Sequence, residues 1–180
     1  MTEIEEIIEF LEADAVSATF TVRGLKYLSL RSSRGEERID LRLTNGKKEP
    51  NLHEKLFIDE TFNFLKTGRH NMPLDLTDFT SFQQSVFEAV SKIEPGTVVT
   101  YKDVAVMLGK PGGAQAVGNA IAKNPVSYFL PTHRVIPQKG IGICKSGAGH
   151  LREKFLSHEG HDLSQLRGNY ICPRKKCSFE

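Results

Sequence analysis

Three cysteines in 180 residues, Cys144, Cys172 and Cys177, are too few and too irregularly spaced for a disulfide framework. Their scarcity points to a reducing compartment, cytoplasmic or nuclear. Cys172 and Cys177 stand close together with no second pair to complete a tetrahedral ligand set, so no metal is expected there. No apolar run approaches the ~18 residues of a membrane span. The opening residues are acidic and amphipathic, unlike a signal or transit peptide. No internal repeat or low-complexity tract stands out. What is present is ordinary for a globular chain: 39% hydrophobic and 26% charged residues. Such a length fits one sizeable domain or two small ones. A first domain of under about 80 residues leans on its neighbour, because small domains bury a smaller share of their surface.

Acidic residues are also unevenly placed. Residues 1–79 carry 15 acids against 11 bases, a net of −4. Residues 97–154 carry eight bases and only two acids, Asp103 and Glu153, a net of +6. A basic second half suits a polyanionic partner, most simply nucleic acid, and also fits a solvated surface with scattered lysines.

Ile4, Ile7, Ile8 and Leu11 recur at helical spacing in EIEEIIEFLEA. ATFTVRGLKYLSL and ERIDLRLT alternate like strands, and NGKKEPN is a polar loop. LHEKLFIDETFNFLK returns to helical period and stops at Gly68. These elements predict a small N-terminal α/β domain over residues 1–75, with a linker through TGRHNMPLDLTDFT.

The second half reads as mainly helical. Thr80 with Gln83 forms a capping-box pattern ahead of FQQSVFEAVSKI, which Pro95-Gly96 stops. Thr100 with Asp103 repeats it ahead of YKDVAVML, which ends at Gly109. KPGG turns the chain into AQAVGNAIAKN. Two short helices with a glycine-bearing turn predict a helix-turn-helix. Gly113, Ala114, Ala116, Gly118 and Ala120 leave the second helix almost without side chains, although each glycine weakens a helix by about 1 kcal/mol. Either the helix is packed tightly into the core, or it approaches a ligand closely, as in a nucleic-acid groove. HLREKFLSHEG predicts a last helix ended by Gly160, and the terminal residues 166–180 read as a poorly ordered basic tail.

In FLPTHRVIPQ a threonine, Thr132, precedes the His133-Arg134 pair. Together with TSFQQSVFEAV, IEPGTVVTYKDVA, AVGNAIAKNP and LSHEG in that order, this segment resembles the O6-alkylguanine-DNA alkyltransferases, whose core motif is Pro-Cys-His-Arg-Val. The likeness runs without a gap from Tyr101 to Glu159, covers residues 79–160 well, and is only architectural before that. It implies an α+β protein: the N-terminal α/β domain, then a mainly helical alkyltransferase-like domain over 79–165 with a winged-helix-like helix-turn-helix.

The family's mechanism follows from the same resemblance. The helix-turn-helix enters the minor groove, the damaged guanine is rotated into a pocket, and a cysteine thiolate activated through water, histidine and glutamate takes the alkyl group irreversibly, with no cofactor. Carried onto this chain, Tyr101 matches the tyrosine that presses the target phosphate. Gly113, Ala114, Ala116 and Gly118 match the small face of the recognition helix. Lys123 and Arg134 are grouped with these DNA-facing residues, Arg134 being more readily structural than catalytic. Asn124 matches the asparagine that ties the turn to the active-site loop, Val135 and Ser146 fall at the pocket, and His133 with Glu159 match the relay pair.

Three positions depart. Thr132 stands where the nucleophilic cysteine belongs, Gln115 where an intercalating arginine belongs, and Lys145 where a loop tyrosine touches the base. An alcohol lacks the acidity of a thiol, so no alkyl transfer through Thr132 is expected. Cys144 beside Lys145 is either a thiolate at the pocket mouth or a loop cysteine with no role. Without a thiol to activate, His133 and Glu159 read as a structural pair. Gln115 can still fill the space of a rotated base, but without a charge.

Relatives lacking the cysteine, the alkyltransferase-like proteins, bind alkylated guanine and hand it to other repair machinery. The expectation is therefore a monomeric, non-catalytic DNA-binding homologue without metal or cofactor. Its partners would be duplex DNA, alkylated or not, and downstream repair proteins. Two alternatives stay open: a genuine alkyltransferase in which Thr132 replaces the cysteine by engineering, and a degenerate scaffold for a protein partner.

Overall fold

A computed structural model of the chain describes residues 15–31, 52–141 and 147–167. The helix expected in EIEEIIEFLEA, the strand in ERIDLRLT, the NGKKEPN loop, Cys144, Lys145, Ser146 and nearly all of the C-terminal tail lie outside those residues. The described part is α+β, as expected from the sequence. No helix in it is long and apolar enough to cross a membrane.

The chain divides into two units: the described residues up to Leu76 together with Pro125–Phe129, and those from Thr77 to Asn124 and from Leu130 onward. In the first unit, strands β1 (Ala15–Thr21) and β2 (Gly24–Arg31) form an antiparallel hairpin with an irregularity between Thr19 and Phe20. Gly24 opens β2 at φ +137, a region L side chains rarely adopt. Its neighbour Leu25 pairs in parallel with Leu74, its amide donating to the Pro73 carbonyl at 2.8 Å and its carbonyl accepting from Asp75 at 2.8 Å. The backbone of Pro73 therefore runs directly against Gly24, where a Cβ would lie 2.2 Å from the Pro73 oxygen.

Helix α1 (Leu52–Thr67) presents Phe57, Ile58, Thr61 and Phe64 inward at spacings of one, three and three, one face of a 3.6-residue period. Gly68, at φ +69, stops it, its amide donating to the Phe64 carbonyl. Tyr128 and Phe129 complete this core: Phe57 meets Phe129 edge-on at 5.8 Å, and the Thr61 and Tyr128 hydroxyls lie 3.1 Å apart. Burial pushes the Tyr128 phenol up, so it stays neutral.

In the second unit, both capping boxes form. The Thr80 side chain accepts from the Gln83 amide ahead of α2 (Ser81–Ser91), and Thr100 accepts from Asp103 ahead of α3 (Tyr101–Met107). Helix α4 (Ala114–Ile121) packs on α3, completing the helix-turn-helix. It is shorter than the sequence pattern, which runs to Asn124. The two-residue strands β3 (Val99–Thr100) and β4 (Val135–Ile136) pair in parallel. Alternation along them divides the interior: Val99 and Val135 join Val86, Val90, Val104 and Val117, while Val98 and Ile136 face Ile141, Leu156 and Leu166. Helix α5 (Gly147–His158) follows, and Gly160 ends that region at φ +84. A short helix α6 (Leu163–Leu166), capped by Asp162, was not anticipated.

Gly24→Ala is expected to destabilise the first unit by about 2 kcal/mol or more, because it combines a strained φ with a clash against backbone. Chemical unfolding followed by tyrosine fluorescence measures this.

Candidate DNA-facing site and active-site loop

The loop that carries the motif is short and backbone-bonded. Thr132–Arg134 form one turn of 3-10 helix, with the Thr132 amide donating to the Leu130 carbonyl at 2.6 Å and the Arg134 amide to the Pro131 carbonyl at 3.0 Å. Asn124, just past α4, donates from Nδ2 to the Leu130 carbonyl at 3.4 Å and to the Thr132 hydroxyl at 3.3 Å. The turn after α4 is thus tied to the loop through one amide.

Behind the loop lies a buried charge network centred on Glu159. Its carboxylate accepts from His133 Nε2 at 3.0 Å, from Arg134 Nε at 3.0 and 3.1 Å, from Arg134 Nη2, and from the Gly96 amide at 3.2 Å. The remaining arm of Arg134 donates to the Ile93 carbonyl at 2.7 Å. Arg134 is only 2% exposed. That corrects its grouping with the DNA-facing residues: the guanidinium is consumed inside the fold. Val135, expected at the pocket, is also fully buried, in the core under the helix-turn-helix.

Burial pushes the His133 pKa down, more than the Glu159 carboxylate raises it. The ring is therefore neutral, carries its proton on Nε2 toward Glu159, and stacks on Phe155 at 5.1 Å. Burial raises the Glu159 pKa, but hydrogen bonds from His133 and Arg134 outweigh it and hold the carboxyl at about 2. Among the described residues, no basic side chain bonds the Thr132 hydroxyl; its partner is an amide donor.

The helix-turn-helix surface is separate from this network. Val117, Ala120 and Ile121 turn inward, whereas Gln115, Ala116, Asn119, Ala122 and Lys123 are exposed and Ala114 and Gly118 half-exposed. Tight packing accounts for Ala120, in the core, and for Gly113, where a Cβ would lie 3.0 Å from the Lys110 carbonyl oxygen. A Cβ on Gly118 would rest at 3.8 Å from the Tyr101 ring, an ordinary contact, so the fold does not demand glycine there. Gln115 lies along the helix, its Nε2 donating to Asn119 Oδ1 at 3.2 Å. Beside this face is a cavity of about 390 Å3 lined by Tyr101, Lys102, Pro111, Ala114, Gln115, Gly118, Pro137 and Gln138. Lys102, Pro111, Pro137 and Gln138 were not singled out from the sequence. Pro137 and Gln138 follow directly on β4, and that proximity to the motif was the available signal. Lys102, Lys110, Lys123 and Lys139 are exposed, and Lys110 lies over the Phe82 ring at 5.0 Å. Cys144, Lys145 and Ser146 fall outside the described residues.

Residues 81–161 match the model of the 6-O-methylguanine DNA methyltransferase DNA-binding domain. This part of the chain belongs to that family. The methylated-DNA–protein-cysteine methyltransferase of Salmonella typhimurium is 41% identical over 87 residues, 48% of this chain and 51% of that protein. The Metallosphaera sedula protein of the same name is 37% identical over 103 residues, 57% of this chain and 64% of its own. The chain thus spans about half to two thirds of the length of these relatives. Among solved structures, Mycobacterium tuberculosis OGT in complex with DNA superposes with a TM-score of 0.61 at 28% identity, over 80% of this chain and 85% of the other.

The Glu159 and His133 shifts act in one direction on stability. The His133 pKa falls from 6.5 on folding, so the unfolded chain takes the proton first and stability is lost as pH drops below 6.5. The Glu159 contribution is complete above 4.5 and drains as pH falls toward 2. Urea unfolding is expected to show stability declining steadily from about pH 7 to about pH 3. Glu159→Ala is expected to be about 3–5 kcal/mol less stable near neutrality, with a deficit that shrinks in acid.

Proposed function

We propose that the chain is a DNA-binding, non-transferring member of the family, which docks duplex DNA through α4 and senses alkylated guanine rotated toward the Thr132 loop. The observation that carries the reading is the pairing of an intact loop framework with a threonine hydroxyl whose side-chain partner, among the described residues, is the amide donor of Asn124. Displacement at an alkyl carbon suits a soft thiolate, and the alcohol lacks both that softness and the acidity of a thiol. Docking is supported by what the fold leaves unused. The exposed small residues on α4 are not needed for packing, and lysines Lys102, Lys123 and Lys139 supply phosphate contacts without sequence preference. Uncharged Gln115 would occupy the space of the rotated base, and Tyr101 would press the adjacent phosphate.

Two outcomes test the reading. Incubated with duplex carrying O6-methylguanine, the chain is expected to shift in a gel, less so as salt rises, while its intact mass stays unchanged. A stoichiometric gain of one methylene overturns the non-transferring assignment, and absence of any salt-dependent shift overturns the DNA-binding one. Separately, Gly118→Ala is expected to raise stability by about 0.5–1 kcal/mol, because alanine favours helix and the site has room. The same change is expected to weaken duplex binding, because the added methyl stands on the docking face. A melting curve and a binding isotherm on the same variant separate the two effects.

A further inference from the structure

Asn124 Nδ2 donates to two acceptors, the Leu130 carbonyl at 3.4 Å and Thr132 Oγ1 at 3.3 Å. The carbonyl can only accept, so it fixes which end of the amide faces the loop; with Oδ1 there, two carbonyl oxygens would confront each other. A threonine hydroxyl has one proton and two lone pairs. Because the Asn124 bond uses a lone pair, the proton of Thr132 is directed elsewhere. The Leu130 carbonyl already accepts twice, from the Thr132 amide at 2.6 Å and from Asn124, and the Thr132 carbonyl accepts from the Val135 amide. His133 Nε2 is committed to Glu159. Thr132 is itself half-exposed. Among the described residues the Thr132 hydroxyl makes no second side-chain bond, so the loop offers a hydroxyl donor where a thiol, only a weak donor, would offer almost none.

We propose that Thr132 is a specificity-determining residue whose hydroxyl donates a hydrogen bond to the 6-oxygen of a guanine turned into this loop, the atom that bears the alkyl group. The inference rests on the DNA-sensing reading above and deepens it. No bond is made or broken in this step. The recognition is a donor meeting an acceptor, and a base without an oxygen at that carbon leaves the pair unmade. Asn124 supports this role, because its amide occupies one lone pair of the Thr132 hydroxyl and leaves the proton for another partner.

The test is equilibrium binding of the full chain to three duplexes that differ at one base: guanine, O6-methylguanine, and 2-aminopurine, which keeps the purine rings and N7 but has hydrogen at carbon 6. The wild-type chain is expected to bind the O6-methylguanine duplex about three- to tenfold more tightly than the 2-aminopurine duplex, the range of one neutral hydrogen bond. Thr132→Val is expected to remove that ratio by weakening the first and leaving the second unchanged, and Thr132→Ser to retain it. Equal wild-type affinity for those two duplexes overturns the inference without any variant. A Thr132→Val protein that loses affinity equally for both, or keeps the wild-type ratio, overturns it as well. Binding to guanine duplex with no difference at carbon 6 leaves the docking reading standing and removes the Thr132 role alone. Failure of the wild-type chain to bind any of the three removes the reading beneath it, and the inference with it.

Discussion

One carboxylate organises the second unit. Glu159, directly after α5, receives hydrogen bonds from the Gly96 turn and from both His133 and Arg134 of the motif loop, and Arg134 passes the connection on to the end of α2 at Ile93. Desolvating an ion pair costs several kcal/mol per ion, and the attraction offsets it only where lone pairs and protons are fully matched. Here the matching is dense: Nε and Nη2 of Arg134 both reach the carboxylate, and Nη1 finds a carbonyl. The network therefore specifies one arrangement of loop, turn and helix more than it adds net stability.

That arrangement explains how the loop keeps its form with a different side chain at its tip. The 3-10 turn is held by its own amides, by Asn124 and by the network behind it, none of which requires sulfur at position 132. Framework and chemistry are separable in this fold. His133 is neutral and stacked on Phe155, with its Nε2 proton given to Glu159. An alcohol at this position is a weaker acid than a thiol and a better hydrogen-bond donor.

The exposed face of α4 follows a different logic. A helix that exposes alanine and glycine forgoes helix propensity and gains close approach. The Gly118 site could accept a methyl, so the sequence at this position is not dictated by packing on Tyr101. Such a local departure from the most stable choice is expected where function and stability compete. Gln115, bonded along the helix to Asn119, lines this face with amides, while the surrounding lysines keep it basic.

By itself the sequence determined the elements whose causes lie within a few residues. The capping boxes at Thr80 and Thr100 and the stops at Gly68, Gly96, Gly109 and Gly160 depend on side chains and φ angles three or four positions apart at most. The ordered motifs did the same for the family and for the threonine at its centre. Only the tertiary structure decided which distant groups meet. Arg134 reads as a surface cation until Glu159, 25 residues on, and the Ile93 carbonyl, 41 residues back, are seen to enclose it. Residues Pro125–Phe129 read as part of the second unit until Tyr128 and Phe129 are found in the aromatic core with Phe57 and Phe64. Likewise, the exposed small face of α4 could be told from a packed one only once Val117, Ala120 and Ile121 were seen to fill the inward side. Burial and ion pairing are set by three-dimensional neighbours, and spacing along a chain does not encode them.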